Sequence, residues 1–255
     1  MKPVKALGQH FLRDPEVLQD IAALTDPAHA SRVVEIGPGE GALTAFLVGH
    51  GPMVYAIDKD PRAVELIAAR FGDRVTVSVG DATTHDLDAI AGAEGAVIVG
   101  NLPYNVGSMI LRRILALGPT WRRAVLMFQH EVAARIVATE NSRIYGIPSV
   151  LTRTRAKAWL VRSVPPSAFF PPPKVDSSVV LLEPLAVPLV PDAEFPAFEK
   201  FLDRAFAMRR KTIGNVLKAE REQLDALGID PGARAETLSP EQFVALWRAV
   251  SAAER

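Results

Sequence analysis

Arg32-Val33-Val34-Glu35-Ile36-Gly37-Pro38-Gly39-Glu40-Gly41-Ala42-Leu43-Thr44-Ala45-Phe46-Leu47 reads as an apolar strand, a glycine-rich turn and the opening of a helix. Glycine has no Cβ, so the turn can be tight and a ligand can come close to its backbone. The same alternation continues outward. Met53–Asp58 is a strand, and Asp60-Pro61 caps a helix through Val64, Ile67 and Ala68. Val75–Asp81, Ala96–Gly100 and Ala124–Gln129 are further strands, the last followed by a helix over His130–Thr139. Strands and helices alternating at this pace predict a parallel sheet with helices on both faces. Near-continuous apolar strands suit a sheet buried on both sides. Lys157–Ser163 and Ser177–Glu183, with no helix between them, are expected to pair antiparallel, which makes the sheet seven-stranded and mixed. Upstream, Asp14-Pro15-Glu16 carries an N-cap and a proline at the first helical position.

Pro184–Pro196 reads as a proline-rich linker, and everything beyond it is helical: Phe195–Met208, Thr212–Lys218, Glu220–Leu227 and Ser239–Ala252. Ser239-Pro240-Glu241-Gln242 has the spacing of a capping box. The division expected is an α/β domain over 1–184 and a small all-helical domain over 185–255.

The chain has 255 residues, no cysteine and a formal charge of +0. Without cysteine there are no disulfides, thiolate metal sites or cysteine nucleophile, which suits a reducing cytoplasm. The five histidines lack ligand-like spacing, so no metal is expected. No apolar run approaches the roughly 20 residues needed to span a bilayer. A neutral average can conceal a basic face: bases gather at Arg112-Arg113, Arg122-Arg123, from Arg153 to Arg162 and from Arg204 to Lys218. The competing reading is that these are solvated helix faces.

Two constellations carry chemistry. The first is the turn Gly37-x-Gly39-x-Gly41 with Asp58 and with Asp81-Ala82. Acids at the ends of successive parallel strands line one crevice, the ligand site of open α/β sheets. Asp58 is placed for ribose hydroxyls and Asp81 for an amino group on a base. The alternative, that both are only helix N-caps, is weaker beside this loop. The spacing is not the G-x-G-x-x-G of dinucleotide enzymes. The second is Asn101-Leu102-Pro103-Tyr104, where a buried strand spills into a loop. An amide carbonyl, a backbone stiffened by proline and an aromatic ring can grip a planar amino group such as N6 of adenine. The Asn101 side-chain carbonyl and the Leu102 backbone carbonyl would take the amine hydrogens, and Tyr104 would stack on a flipped-out base. Phe169 or Phe170 could close the opposite face, one of the two belonging to the core; Phe170 is the candidate for the base.

The ordered set Glu35-Ile36-Gly37-Pro38-Gly39-Glu40-Gly41, Asp58, Gly80-Asp81-Ala82 and Asn101-Leu102-Pro103-Tyr104 resembles class I S-adenosylmethionine-dependent methyltransferases of Rossmann-like fold. More narrowly it resembles the ribosomal RNA adenine N6,N6-dimethyltransferase family. Gly8-Gln9-His10-Phe11-Leu12, Phe170–Ser177 and Phe206-x-x-Arg209-Arg210-Lys211-Thr212 match its other signatures, so the resemblance spans nearly the whole chain. It implies S-adenosylmethionine as cofactor, with contacts at His10, Leu12, Gly37, Asp58, Asp81 and Asn101, to which the glycine loop and strand ends add Glu35, Gly39, Gly41 and Ala82 as candidates. Two of these depart from the family pattern: position 10 is often Asn and position 58 often Glu.

The resemblance also implies RNA contacts at Arg209, Arg210 and Lys211. The expected partner is a small ribosomal subunit precursor with its 16S rRNA, met in the cytoplasm by a monomer. The reaction implied is dimethylation of two adjacent adenosines near the 3′ end of that RNA. Three alternatives stand beside it. They are a large-subunit methylase of the macrolide-resistance type, a non-catalytic assembly or transcription factor that kept the fold, and a DNA adenine methyltransferase. The last would more typically carry Pro-Pro where this chain has Leu102-Pro103.

Overall fold

The strand read from Val33 is β2 (Val33–Ile36), an inner strand of the molecule's main sheet. The structure is a computed structural model that describes residues 1–3, 8–49, 53–84, 86–91, 95–208 and 210–253. A short β1 (Phe11–Leu12) precedes α1 (Pro15–Leu24). After β2 come α2 (Ala42–Leu47), β3 (Val54–Asp58), α3 (Pro61–Phe71), β4 (Val75–Val79), α4 (Asp86–Ala91) and β5 (Ala96–Asn101). Then follow α5 (Gly107–Ala116), β6 (Trp121–Gln129), α6 (His130–Val137), α7 (Ile147–Arg155), β7 (Ala156–Val164), β8 (Phe169–Phe170) and β9 (Ser177–Pro184). The chain closes with α8 (Phe195–Ala205), α9 (Ile213–Val216), α10 (Arg221–Ala226) and α11 (Pro240–Ala253).

The main sheet has seven strands in the order β4-β3-β2-β5-β6-β9-β7. The ladders joining β4, β3, β2, β5 and β6 are all parallel. β9 runs antiparallel to β6, with Gln129 opposite Ser177 and Ala124 opposite Leu182. The central strands are buried on both faces: Val33, Val34, Val97, Ile98, Val99 and Val125 have no exposed surface. That accounts for their unbroken apolar character. Local signals also act as expected. Asp14 accepts from the amides of Glu16 and Val17 at the start of α1, and Asp60 accepts from Arg62 N at the start of α3.

The expected division at residue 184 has to be redrawn. One unit comprises Met1–Ala133 with Ala158–Pro184, and the other comprises Ala134–Lys157 with Leu185–Arg255. Within the second, Arg155 is buried, its guanidinium donating to Val190 O at 2.6 Å and pairing with Asp192 at 2.5 Å. The guanidinium carbon lies 4.7 Å from the centroid of the Phe195 ring. Phe198 meets Trp247 edge-on at 5.5 Å. The capping box holds: Gln242 N donates to Ser239 Oγ at 3.2 Å, and Ser239 N to Gln242 Oε1 at 2.9 Å.

Three helices, α4, α5 and α7, lie outside the elements expected from sequence. α7 lacks an apolar stripe because four of its buried side chains are Ser149, Thr152, Thr154 and Arg155. β1 and β8, which pair antiparallel as Phe11 with Phe170 and Leu12 with Phe169, are too short for periodicity to register.

Candidate active site

The glycine turn, the ends of β3, β4 and β5, and the segment that leads into β1 surround one crevice. Gly37 and Gly39 have φ values of 69° and 53°, the left-handed region that other residues rarely adopt. A Cβ on Gly39 would lie 2.9 Å from the Phe11 ring. Asp58 braces the turn: its Oδ2 accepts from Gly39 N at 3.1 Å and its Oδ1 from Asp60 N at 2.8 Å. Glu35 is buried beneath, accepting from the Thr44 hydroxyl at 2.6 Å. Burial pushes the Glu35 carboxyl up to about 7, with the nearby Asp58 charge acting in the same direction and Thr44 opposing it. Burial also raises Asp58, against the backbone amides that stabilise its charge.

Asp81 lines the crevice beside Ala82. Its Oδ1 accepts from Thr83 N and the Thr83 hydroxyl, and its Oδ2 pairs with Lys59 at 2.8 Å. The Lys59 ammonium and the Thr83 donors hold this carboxyl down at about 2. Four acidic side chains, those of Glu35, Glu40, Asp58 and Asp81, line the crevice; Asp81 pairs with Lys59, and Glu40 with Arg13 and the N-terminal ammonium. Such a lining repels a pyrophosphate and suits hydroxyls, amines and a cationic ligand.

At the other end, Asn101 Nδ2 donates to the backbone carbonyl of His10 at 2.8 Å. A carbonyl only accepts, so the amide nitrogen must face it and the amide oxygen is the end left for a ligand's donor. Leu102 N donates to Met127 O at 3.3 Å, and the Pro103 carbonyl receives the amides of Val106 and Gly107. Among the described residues, nothing donates to the Leu102 carbonyl. Two acceptors are thus available where β5 ends. Tyr104 carries its ring alongside, stacked on His10 with centroids 5.4 Å apart and planes at 24°.

A family model described as ribosomal RNA adenine dimethylase matches residues 2–251. The chain belongs to the ribosomal RNA adenine dimethylase family. The ribosomal RNA small subunit methyltransferase A of Sphingopyxis alaskensis is 42% identical, over 96% of this chain and 93% of that protein. That of Geobacter sulfurreducens is 40% identical over 98% and 95%. A solved dimethyladenosine transferase from Plasmodium falciparum superposes with a TM-score of 0.82 at 25% identity, covering 95% of this chain and 98% of that one. The 23S rRNA methyltransferase ErmE gives 0.69 at 27% identity, over 94% and 99%.

In this dimethylase the crevice brings together His10, Leu12, Glu35, Gly37, Gly39, Asp58, Asp81, Ala82 and Asn101 to Tyr104. Two expected site residues are not among its walls. Gly41 faces the protein: at φ 77° it starts α2, and a Cβ there would lie 2.7 Å from Ile67 and 2.8 Å from Phe71. Phe170 is half exposed, with the Arg13 guanidinium 4.5 Å over its ring. Its neighbour Phe169 is the core member of the pair. Strand alternation separates the two, a period-2 signal available in the sequence once β8 is recognised.

The broad basic face also needs correction, because much of it is paired internally. Arg113 meets Asp88, Arg122 meets Asp26, Arg123 meets Glu183, Arg153 meets Glu140, Arg162 meets Asp20 and Arg204 meets Glu220. Pairing depends on the fold and leaves no trace in composition. Arg209 lies outside the described residues. Arg210 and Lys211 are exposed in the turn between α8 and α9, and Thr212 is the N-cap residue at the helix restart.

Proposed function

We propose that this protein transfers methyl groups from S-adenosylmethionine to N6 of two adjacent adenosines near the 3′ end of small-subunit (16S) rRNA, giving N6,N6-dimethyladenosine during ribosome assembly. The observation that carries the proposal is the oriented Asn101 amide beside the unengaged Leu102 carbonyl, at the rim of an acid-lined crevice. The crevice fits the cofactor chemically. Gly37 and Gly39 bring backbone without a Cβ to its wall, and the acids suit the ribose hydroxyls and the positive charge of a sulfonium nucleoside. His10, Leu12, Gly37, Asp58 and Asp81 are the residues assigned to hold it. When bound, S-adenosylmethionine supplies a methyl group on a good leaving group, open to in-line displacement.

The chain's own part is alignment. N6 of adenine is a weak nucleophile because its lone pair is delocalised into the ring. The Asn101 oxygen and the Leu102 carbonyl accept its hydrogens, orienting the amine and letting it pyramidalise as the new bond forms. Tyr104 stacks on the base and keeps its plane fixed. Holding the reactants in an attack geometry accounts for much of the rate, and the displaced proton leaves to water. After the first transfer one hydrogen remains on N6, so a single acceptor suffices for the second.

The substrate assignment draws on the small-subunit names of the 40–44% identical relatives. The likeness to the large-subunit enzyme ErmE lies in the shared fold at 27% identity. The reading includes action on a small-subunit precursor, as a monomer, in the cytoplasm. The test is to map dimethyladenosine in both ribosomal RNAs from a strain lacking this protein. Loss of the adjacent pair in small-subunit RNA, restored by the wild-type chain and not by Asn101→Ala, is expected. Loss confined to large-subunit RNA would overturn the substrate assignment.

A further inference from the structure

Ser177 has no solvent exposure, and its Oγ lies 2.6 Å from the Tyr104 phenol oxygen. It opens β9 opposite Gln129, the last pair of the antiparallel ladder with β6. The residues on either side of it are tied to the start of α6. His130 N donates to the Asp176 carbonyl at 2.9 Å, and His130 Nδ1 lies 2.9 Å from Ser178 Oγ. The hydroxyl that meets Tyr104 is therefore carried on rigid backbone.

The flat side of the Tyr104 ring is held as well. His10 stacks on it, and His10 Nδ1 lies 2.7 Å from the Pro171 carbonyl. Because a carbonyl only accepts, that ring nitrogen carries the proton and the imidazole plane is set. A tyrosine side chain has two torsions to fix. The bond at its tip and the stack on its face together remove that freedom before any ligand arrives.

We propose that Ser177 is a positioning residue for methyl transfer: through the Tyr104 hydroxyl it sets the angle of the ring that receives the target adenine, while His10 occupies one face and leaves the other to the base. This rests on the reading of Tyr104 as the stacking residue. Supporting groups of this kind determine how closely a site keeps its productive geometry. Burial keeps the phenol protonated by raising it above the ordinary tyrosine value, against the Ser177 bond. The pair is thus a neutral hydroxyl–hydroxyl contact.

The experiment is a double-mutant cycle of Ser177→Ala and Tyr104→Phe, with Tyr104→Ala and Ser177→Thr alongside. The readouts are single-turnover methylation of unmethylated small-subunit precursors, cofactor affinity by calorimetry and thermal stability. Each single change is expected to slow transfer by roughly three- to tenfold, the size of one neutral hydrogen bond. The double variant should be no slower than either single, Ser177→Thr should recover most of the rate, and cofactor affinity should stay unchanged. Losses that multiply in the double variant, or Tyr104→Phe at the wild-type rate, would overturn the role of Ser177. Tyr104→Ala keeps the two readings apart. If it is inactive while Tyr104→Phe is fully active, stacking stands and positioning falls; if it is fully active, the stacking reading itself falls. Should Ser177→Ala fail to fold, Tyr104→Phe alone tests the bond, since it removes the same interaction without emptying the serine's site.

Discussion

Glu35 is a carboxyl kept almost wholly from water, and its titration should register in the stability of the fold. Its folded value of about 7 lies above the ordinary 4.5, so the folded state binds the proton more tightly than the unfolded chain. Its contribution is complete below about 4.5 and is lost as pH rises through 7, by roughly 3 kcal/mol. Asp26, Asp60 and Asp81, all held down at about 2, act in the opposite direction and only in more acid solution. Denaturant midpoints of the ligand-free protein should therefore fall between pH 4.5 and 7, and Glu35→Gln should flatten that slope. An unchanged slope in the variant would assign it to other groups, Asp58 first. Asp81 makes a different case because its carboxylate is paired and ionised. Asp81→Ala should weaken S-adenosylmethionine binding by about 1–3 kcal/mol, the usual cost of stranding a polar partner. Calorimetry giving wild-type affinity in a folded Asp81→Ala protein would remove this residue from the site.

The glycine turn shows how one short element divides its labour. Gly39 faces the ligand side under Phe11, whereas Gly41 packs against Ile67 and Phe71 of α3. Gly39→Ala should lower both cofactor affinity and stability, since its φ of 53° and the Phe11 ring 2.9 Å from a Cβ strain it as well. Gly41→Ala should cost about 1–3 kcal/mol of stability by overpacking, and more through its positive φ. Equal effects of both on affinity would contradict this division. From sequence the two glycines are equivalent, because spacing reports the turn and not which neighbour fills the space beside it. The strands of the main sheet, the caps of α1 and α3 and the acids at the strand ends are legible, since each follows from local chemistry. α5 is legible too, with apolar residues at Ile110, Leu111, Ile114 and Leu115, although it is absent from the elements expected. α7 is not legible, since its buried face is hydroxyls and an arginine whose partners lie far along the chain. The hydrogen bond between Ser177 and Tyr104 joins residues far apart in sequence and exists only once the sheet has closed.

Across the molecule, many arginines among the described residues are held in ion pairs. Arg155 is the extreme instance, buried against the Val190 carbonyl and the Phe195 ring while its guanidinium reaches the exposed carboxylate of Asp192. Arg155→Ala, which strands the Val190 carbonyl and empties the space against Phe195, should destabilise the second unit by about 1–3 kcal/mol, seen as an early transition in thermal melts; a wild-type melt would refute it. Arg210 and Lys211, exposed at the helix junction, are the cations expected to meet RNA phosphate. Replacing both by Ala should leave stability and cofactor binding intact and weaken binding to small-subunit precursors. It should also lower the slope of log affinity against log salt by somewhat less than one unit for each phosphate no longer neutralised. Filter binding across a salt series decides this, and an unchanged slope would return the pair to an ordinary solvated turn. The strand order has a consequence for biosynthesis. β9 lies between β6 and β7 although the ribosome makes it after both. β7 has no lateral partner when it emerges, and the apolar edge of β6 stays unpaired until Ser177–Pro184 arrives. At about 5–20 residues per second that wait lasts a few seconds. For that interval a nascent chain shows a bare hydrophobic strand of the kind that invites aggregation, and its last-made sheet strand is also the one that brings Ser177 to the tyrosine.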